Sequence, residues 1–114
     1  MKVLNIEYPT TLDKINDPTN DNIDVFVTLE DGFSYTVVVA TIKNIEHMME
    51  NGYLEEGPPF IIVDELQEDT IRRAIEAHAK GNAYWLKLHY LSNSITDDLF
   101  VSMLEEIEKS NNSY

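Results

Sequence analysis

The chain contains no cysteine, which removes thiol nucleophiles, disulfides and thiolate metal sites together. Basic residues are scarce, 8 Lys and Arg against 21 Asp and Glu. They are also dispersed, and a nucleic-acid surface needs them clustered. Four glycines stand apart, so neither a Gly-x-Gly-x-x-Gly fingerprint nor a P-loop exists. No Gly-x-Ser-x-Gly elbow presents a serine nucleophile. No run approaches the ~20 apolar residues of a membrane span. The start, Met1-Lys2-Val3-Leu4-Asn5, lacks the apolar stretch of a signal peptide. These gaps leave no recognisable catalytic set. The expectation is a non-enzymatic, cytoplasmic protein without a cofactor, a resident metal, nucleic acid or membrane.

What is present is negative charge and a sufficient core. The 114 residues carry a net charge of −13 and are 43% hydrophobic, enough for one domain spanning 1–114. A field of that sign repels anionic polymers and speeds the arrival of basic proteins. The same charge also serves plain solubility.

Val3 to Tyr8 predicts a first strand, with Leu4, Ile6 and Tyr8 on one face and Pro9 ending it. Residues 9–23 are polar and read as a mobile loop, with room for a helical turn near Leu12 to Ile15. Asp17, Asn20, Asp21, Asn22 and Asp24 lack the order of a calcium loop and read as solvated. Asp24 to Ala40 predicts a hairpin around Asp31-Gly32. A two-residue loop would oppose Leu29 to Ser34. A three-residue loop, Glu30-Asp31-Gly32, opposes Leu29 to Phe33, Val27 to Tyr35 and Val25 to Val37, so one face is consistently apolar. That register is the prediction, with Gly32 in the left-handed conformation. Thr41 is the expected N-cap of a helix whose stripe is Ile42, Ile45, Met48 and Met49, ended by Asn51-Gly52.

The stretch Pro58 to Leu91 reads as strand, helix, strand. Phe60-Ile61-Ile62-Val63 is apolar throughout, the pattern of a central strand. Asp64, Glu65, Glu68 and Asp69 suit the start of a helix from Thr70 to Lys80. Its face is Ile71, Ala74, Ile75 and His78, with Gly81 as the stop. Tyr84 to Leu91 alternates, which predicts a strand with Trp85, Lys87 and His89 on one face. A parallel crossover would join it to Phe60–Val63. Ser94 and Asp97 resemble a capping box for a last helix with the stripe Leu99, Phe100, Met103, Leu104 and Ile107. Residues 110–114 should fray. The fold class is therefore α+β: a single mixed sheet of about five strands, in the order β-β-β-α-β-α-β-α, packed with three helices.

Three histidines are the remaining chemistry. His47 and Glu50 stand one turn apart, a pair too common by chance to count as a metal site. His78, on an apolar face in a last turn, reads as a half-covered, hydrogen-bonded ring. Asp64 and His89 can be drawn as an acid–base pair at the end of the central strand, though surface roles are the default. Trp85 is core if the last helix covers its strand face, the favoured reading, and a docking anchor if not. Glu55 and Glu56, together with Asp64, Glu65, Glu68 and Asp69, flank the central strand as an acidic rim.

A small, strongly acidic, cysteine-free α+β domain with carboxylates in its loops resembles the bacterial immunity proteins. The segment from Pro58-Pro59-Phe60-Ile61-Ile62-Val63 through Ala74-Ile75 to Trp85-Leu86-Lys87-Leu88 is also similar to a set of small bacterial cytosolic proteins without assigned activity. The immunity resemblance implies an inhibitor that neutralises a basic toxin, often a nuclease; it transfers no individual residue. On this basis the expected partner-binding residues are Glu55, Glu56, Asp64, Glu65, Glu68, Asp69, Trp85 and His89. Two alternatives stand beside it. One is a small-molecule-binding regulator or small enzyme with a pocket near Asp64 and His89. The other is a homo-oligomer, such as a homodimer, with an exposed strand or methionine surface buried between copies.

Overall fold

The structure, a computed structural model, describes residues 1–54, 60–94 and 97–111, with backbone alone for 89–94 and 111. In chain order it forms β1 (Val3–Glu7), a 3₁₀ turn (Leu12–Lys14), β2 (Asn22–Leu29), β3 (Ser34–Thr41), α1 (Ile42–Met48), β4 (Phe60–Val63), α2 (Glu68–His78), α3 (Lys80–Ser94) and α4 (Asp97–Asn111). The sheet is mixed, in the order β1-β2-β3-β4. The first two pairings are antiparallel, and β3 with β4 is parallel. The α+β class holds, with four strands and four helices among the described residues in place of five and three.

The β2–β3 hairpin adopts the three-residue register. Val25 opposes Val37 and Val27 opposes Tyr35. Leu29 N–H donates to the Phe33 carbonyl at 3.1 Å, and Gly32 sits at φ +86°. The reason is parity. This pairing puts Val25, Val27, Leu29, Val37 and Val39 on one face, each fully buried. Each such side chain contributes about 1.5–3 kcal/mol over its exposed state. Ile61 and Val63 of β4 extend that face, and Ile71 and Ile75 of α2 and Leu86 of α3 cover it.

Thr41 ends β3 and caps α1. Its hydroxyl accepts from Asn44 N–H at 3.2 Å and from Asp21 N–H at 3.3 Å. It is the buried polar residue of the core among the described residues. Backbone hydrogen bonds tie the 9–21 loop to the body at two points. Asp21 carbonyl accepts from Thr41 N–H at 3.1 Å, and Pro18 carbonyl accepts from Leu66 N–H at 2.7 Å. The α1 stripe is only half covered, because no residue of that helix is buried.

Three expectations fail here. The segment from Tyr84 onward is helical, within α3, and supplies no fifth strand. Its alternation is apolar enough for a strand, but Ala83 to Leu91 contains no β-branched residue, and Leu and Lys favour helix. Tyr84 is 59% exposed and Leu86 fully buried, although alternation would put both on one face. Second, β4 is an edge strand. It ends the sheet among the described residues, and only one of its faces is covered, so Ile61 and Val63 are buried while Ile62 is 55% exposed. Third, the parallel pair is β3 with β4, joined through α1, so the expected crossover across α2 is absent. β1 departs in a smaller way. A bulge between Val3 and Asn5 turns Leu4 out to 57% exposure while Ile6 stays buried.

Between α2 and α3 the chain turns at three residues. Gly81 (φ 65°, ψ −124°), Asn82 and Ala83 (φ 61°, ψ 37°) are not helical. The Gly81 conformation is one that side chains oppose. Ala83 holds a left-handed conformation at a cost of about 1 kcal/mol, with its methyl fully buried.

The far face of the sheet, with Asn5, Glu7, Asp24, Phe26, Thr36 and Ile62, is exposed. α4 is exposed at every residue from 97 to 110. The chain is correspondingly long, 56 × 40 × 20 Å, with a radius of gyration of 16.6 Å. A compact chain of this length would have about 13 Å. Residues 112–114 of the expected frayed end lie outside the described residues.

Candidate functional site

The expected partner-binding residues fall in three places. Asp64 and Glu65 follow β4, and Glu68 and Asp69 open α2. Asp64, Glu68 and Asp69 are exposed and Glu65 is half-buried. The four carboxylates therefore share the end of one strand and the first turn of one helix, where the macrodipole favours them. Gln67, the N-cap, makes no side-chain cap, so the acidic first turn is the local complement to the free N–H groups. Asp69 pairs with Arg73 Nε at 3.1 Å, at 79% and 70% side-chain exposure, which stabilises little. Glu55 and Glu56 lie outside the described residues.

Trp85 is not core. It is 59% exposed on α3, beside Tyr84 at 59%, with ring centroids 5.7 Å apart and edge-to-face. The favoured core reading fails because the last helix does not pack over it. The helix also dissolves the expected Trp85–Lys87–His89 face. Lys87 turns away and pairs with Asp31 at 3.5 Å. His89 belongs to α3 rather than a strand, and its side chain is outside the described residues.

Two residues carry more than the sequence reading assigned them. Asp31, in the hairpin turn, accepts from Phe33 N–H at 3.1 Å and Tyr35 hydroxyl at 3.3 Å, and meets Lys87. The backbone bond from Phe33 is the main reason its carboxyl lies below the usual range, with Tyr35 and Lys87 adding to it. Asp-Gly at a turn marks the place, but nothing local announces the helix that reaches it. Tyr8 has a buried hydroxyl with no hydrogen-bond partner among the described residues. Burial pushes its ionisation upward, the Glu68 carboxylate adds to this, and Arg72 opposes it. Its place beside Ile6 on the expected apolar strand face gave no sign of α2.

The other polar groups are structural. His78 Nδ1–H donates to the Ala74 carbonyl at 2.8 Å, the half-covered ring expected of it. His47 Nδ1 bonds Asn20 Oδ1 at 3.1 Å. Asp17 accepts from Thr19 N–H and hydroxyl at 3.0 and 2.6 Å, and the hydroxyl bond is the main cause of its lowered pKa. Among the described residues, no three His, Cys, Asp or Glu side chains converge as a metal site. No helix among them is long and apolar enough to cross a membrane.

A shallow concavity of about 290 Å³ opens on the uncovered sheet face, lined by Glu7, Phe26, Thr28, Ser34, Tyr35 and Thr36. Asp64 is not among its lining. A second, of about 360 Å³, lies along α4 at Met103, Glu106, Ile107 and Ser110. Negative charge is spread over several elements and is densest in two. Four carboxylates fall within 64–69, and five within α4, namely Asp97, Asp98, Glu105, Glu106 and Glu108. No family model, curated protein or solved structure matches this chain.

Proposed function

We propose that this protein is a non-catalytic acidic binding protein of the immunity type, which docks on a basic protein partner such as a toxin. The observation that carries the reading is the acidic junction of β4 and α2. There Asp64, at the end of β4, and Glu68 and Asp69, in the first turn of α2, stand exposed beside a helix whose Ile71 and Ile75 are buried in the core. Carboxylates held on rigid elements lose little entropy on docking and steer a basic partner from a distance. Trp85, exposed on α3, is the aromatic of the kind that anchors such contacts. On this reading the protein works in the cytoplasm, shielding the cell that makes the toxin.

The test is co-expression with the basic protein encoded beside it, followed by titration calorimetry of the purified pair. The expected results are relief of toxicity and an affinity that falls about ten-fold or more as salt rises from low to physiological strength. Asp64→Lys with Glu68→Lys should weaken binding by a similar factor, and Trp85→Ala should speed dissociation. A neighbouring operon of metabolic genes with no basic product counts against the proposal. So does a bound partner indifferent to salt and to these variants.

A further inference from the structure

We infer that α4 is a dimerisation helix, pairing antiparallel with α4 of a second copy through Phe100, Met103, Leu104 and Ile107. This surface is separate from the acidic junction and does not depend on it. The stripe is core-like in composition, yet Phe100 is 53% exposed, Met103 45%, Leu104 45% and Ile107 55%. Together with Leu99 it covers about 140° of the helix circumference, the width of a helix that faces a core. A helix of 15 residues standing alone in water is marginal, so α4 needs a cover to persist.

The stripe is its own complement. An antiparallel pair with a two-fold axis between Met103 and Leu104 sets Phe100 against Ile107 of the other copy, and Met103 against Leu104. That is an isologous, closed contact, the commonest kind in homo-oligomers. Charge selects the direction. The carboxylates of α4 and its one base, Lys109, lie off the stripe. In the antiparallel pair the helix dipoles oppose, and Asp98 and Lys109, on the outer sides of the helices, lie at the same level without meeting. A parallel pair would set every carboxylate level with its own counterpart.

Half of each of five large side chains is on the order of 500 Å² per copy, the upper end of what a monomer leaves exposed. Two copies bury roughly 1,000 Å², the lower end for a specific interface, so the dimer is weak, with Kd of about micromolar order. Each chain also carries −13, so association works against long-range repulsion. Salt therefore tightens this dimer, whereas salt loosens an acidic–basic complex.

Sedimentation equilibrium of the whole chain from about 1 to 300 µM, at low salt and at about 0.5 M NaCl, decides the matter. The expected result is a weight-average mass rising from one chain towards two, with the midpoint at lower concentration in high salt. Leu104→Glu and Ile107→Glu should each move the midpoint about ten-fold or more upward, while Glu105→Gln, on the opposite side of α4, should not raise it. The chain has no cysteine, so Met103→Cys introduces a single thiol beside the two-fold axis. On oxidation it should give a covalent dimer. A monomer at every concentration and salt overturns the inference, whether α4 amides are then protected from exchange or not. So does a dimer whose midpoint ignores Leu104→Glu and Ile107→Glu.

Discussion

The sheet with α2 and the helical arm of α4 use similar residues to opposite ends. Ile71 and Ile75 on α2 and Phe100 and Ile107 on α4 recur at spacings that place each pair on one helical face. The first pair is fully buried and the second half exposed. The difference lies in what stands opposite. α2 lies over a face built by β2, β3 and β4, which offers Val25, Val37, Val39 and Ile61. α4 follows α3, whose buried residues among the described ones, Ala83 and Leu86, face the sheet core, while every residue of α4 from 97 to 110 is exposed. An apolar stripe thus specifies that a helix wants cover, and the chain's own geometry specifies whether the cover is internal.

The largest test of that contrast is a matched pair of truncations. Ile71→Ala should cost about 2–5 kcal/mol in denaturant unfolding, because a cavity is left in a closed core. Leu104→Ala, measured at concentrations where the chain is monomeric, should change stability by less than about 0.5 kcal/mol. Equal costs would mean that α4 belongs to the same core as α2.

The link between the two regions comes next. Gly81→Ala should destabilise by about 1–2 kcal/mol although no atom stands within contact of an added methyl. The cost is conformational, since φ is +65° there. A neutral result would show that the turn between α2 and α3 relaxes freely, and the arm with it.

Tyr8 sharpens the comparison from the body side. Tyr8→Phe should stabilise by roughly 1 kcal/mol, because it removes a buried hydroxyl without a partner. It should also change the alkaline limb. The folded state raises the Tyr8 pKa above its usual value of 10.0. That contribution is complete below this value and is lost as pH rises through the folded pKa. Unfolding of the wild type against pH above 10 should therefore show a decline that Tyr8→Phe lacks.

The smallest effect is at the hairpin turn. The folded state lowers the Asp31 pKa below 3.8, mainly through Phe33 N–H. Its contribution is present above 3.8 and is lost as pH falls through the folded value. Asp31→Asn should flatten the acid limb of stability while leaving the alkaline limb alone. An unchanged acid limb would assign the turn to backbone geometry only. The Lys87 contact would then contribute nothing to holding α3.

The β2–β3 hairpin was legible residue by residue, register included, because a two-fold side-chain period makes a one-residue slip expose every valine. The α1 cap and the α2 stripe were legible for similar local reasons. The segment from Tyr84 was not. Tyr84, Leu86, Leu88 and Tyr90 alternate as a strand would, and only composition, with no β-branched residue and with Leu and Lys present, spoke for a helix. With that strand gone, β4 became an edge and Trp85 moved from core to surface. The acidic junction survived the change, since Asp64 to Asp69 lies between β4 and α2 in either arrangement.

By itself the sequence determined the local periods, the caps, the turn at Gly32 and the sign of the field, because each depends on neighbours a few residues away. The tertiary structure alone decided which apolar faces meet. It brought Lys87 to Asp31, trapped the Tyr8 hydroxyl near Glu68 and left α4 bare. The Lys87 contact and the exposure of α4 depend on the direction in which the chain leaves Gly81 to Ala83, and the Tyr8 environment on how α2 lies against the end of β1; no residue pattern carries those directions, only the packing of whole elements against one another.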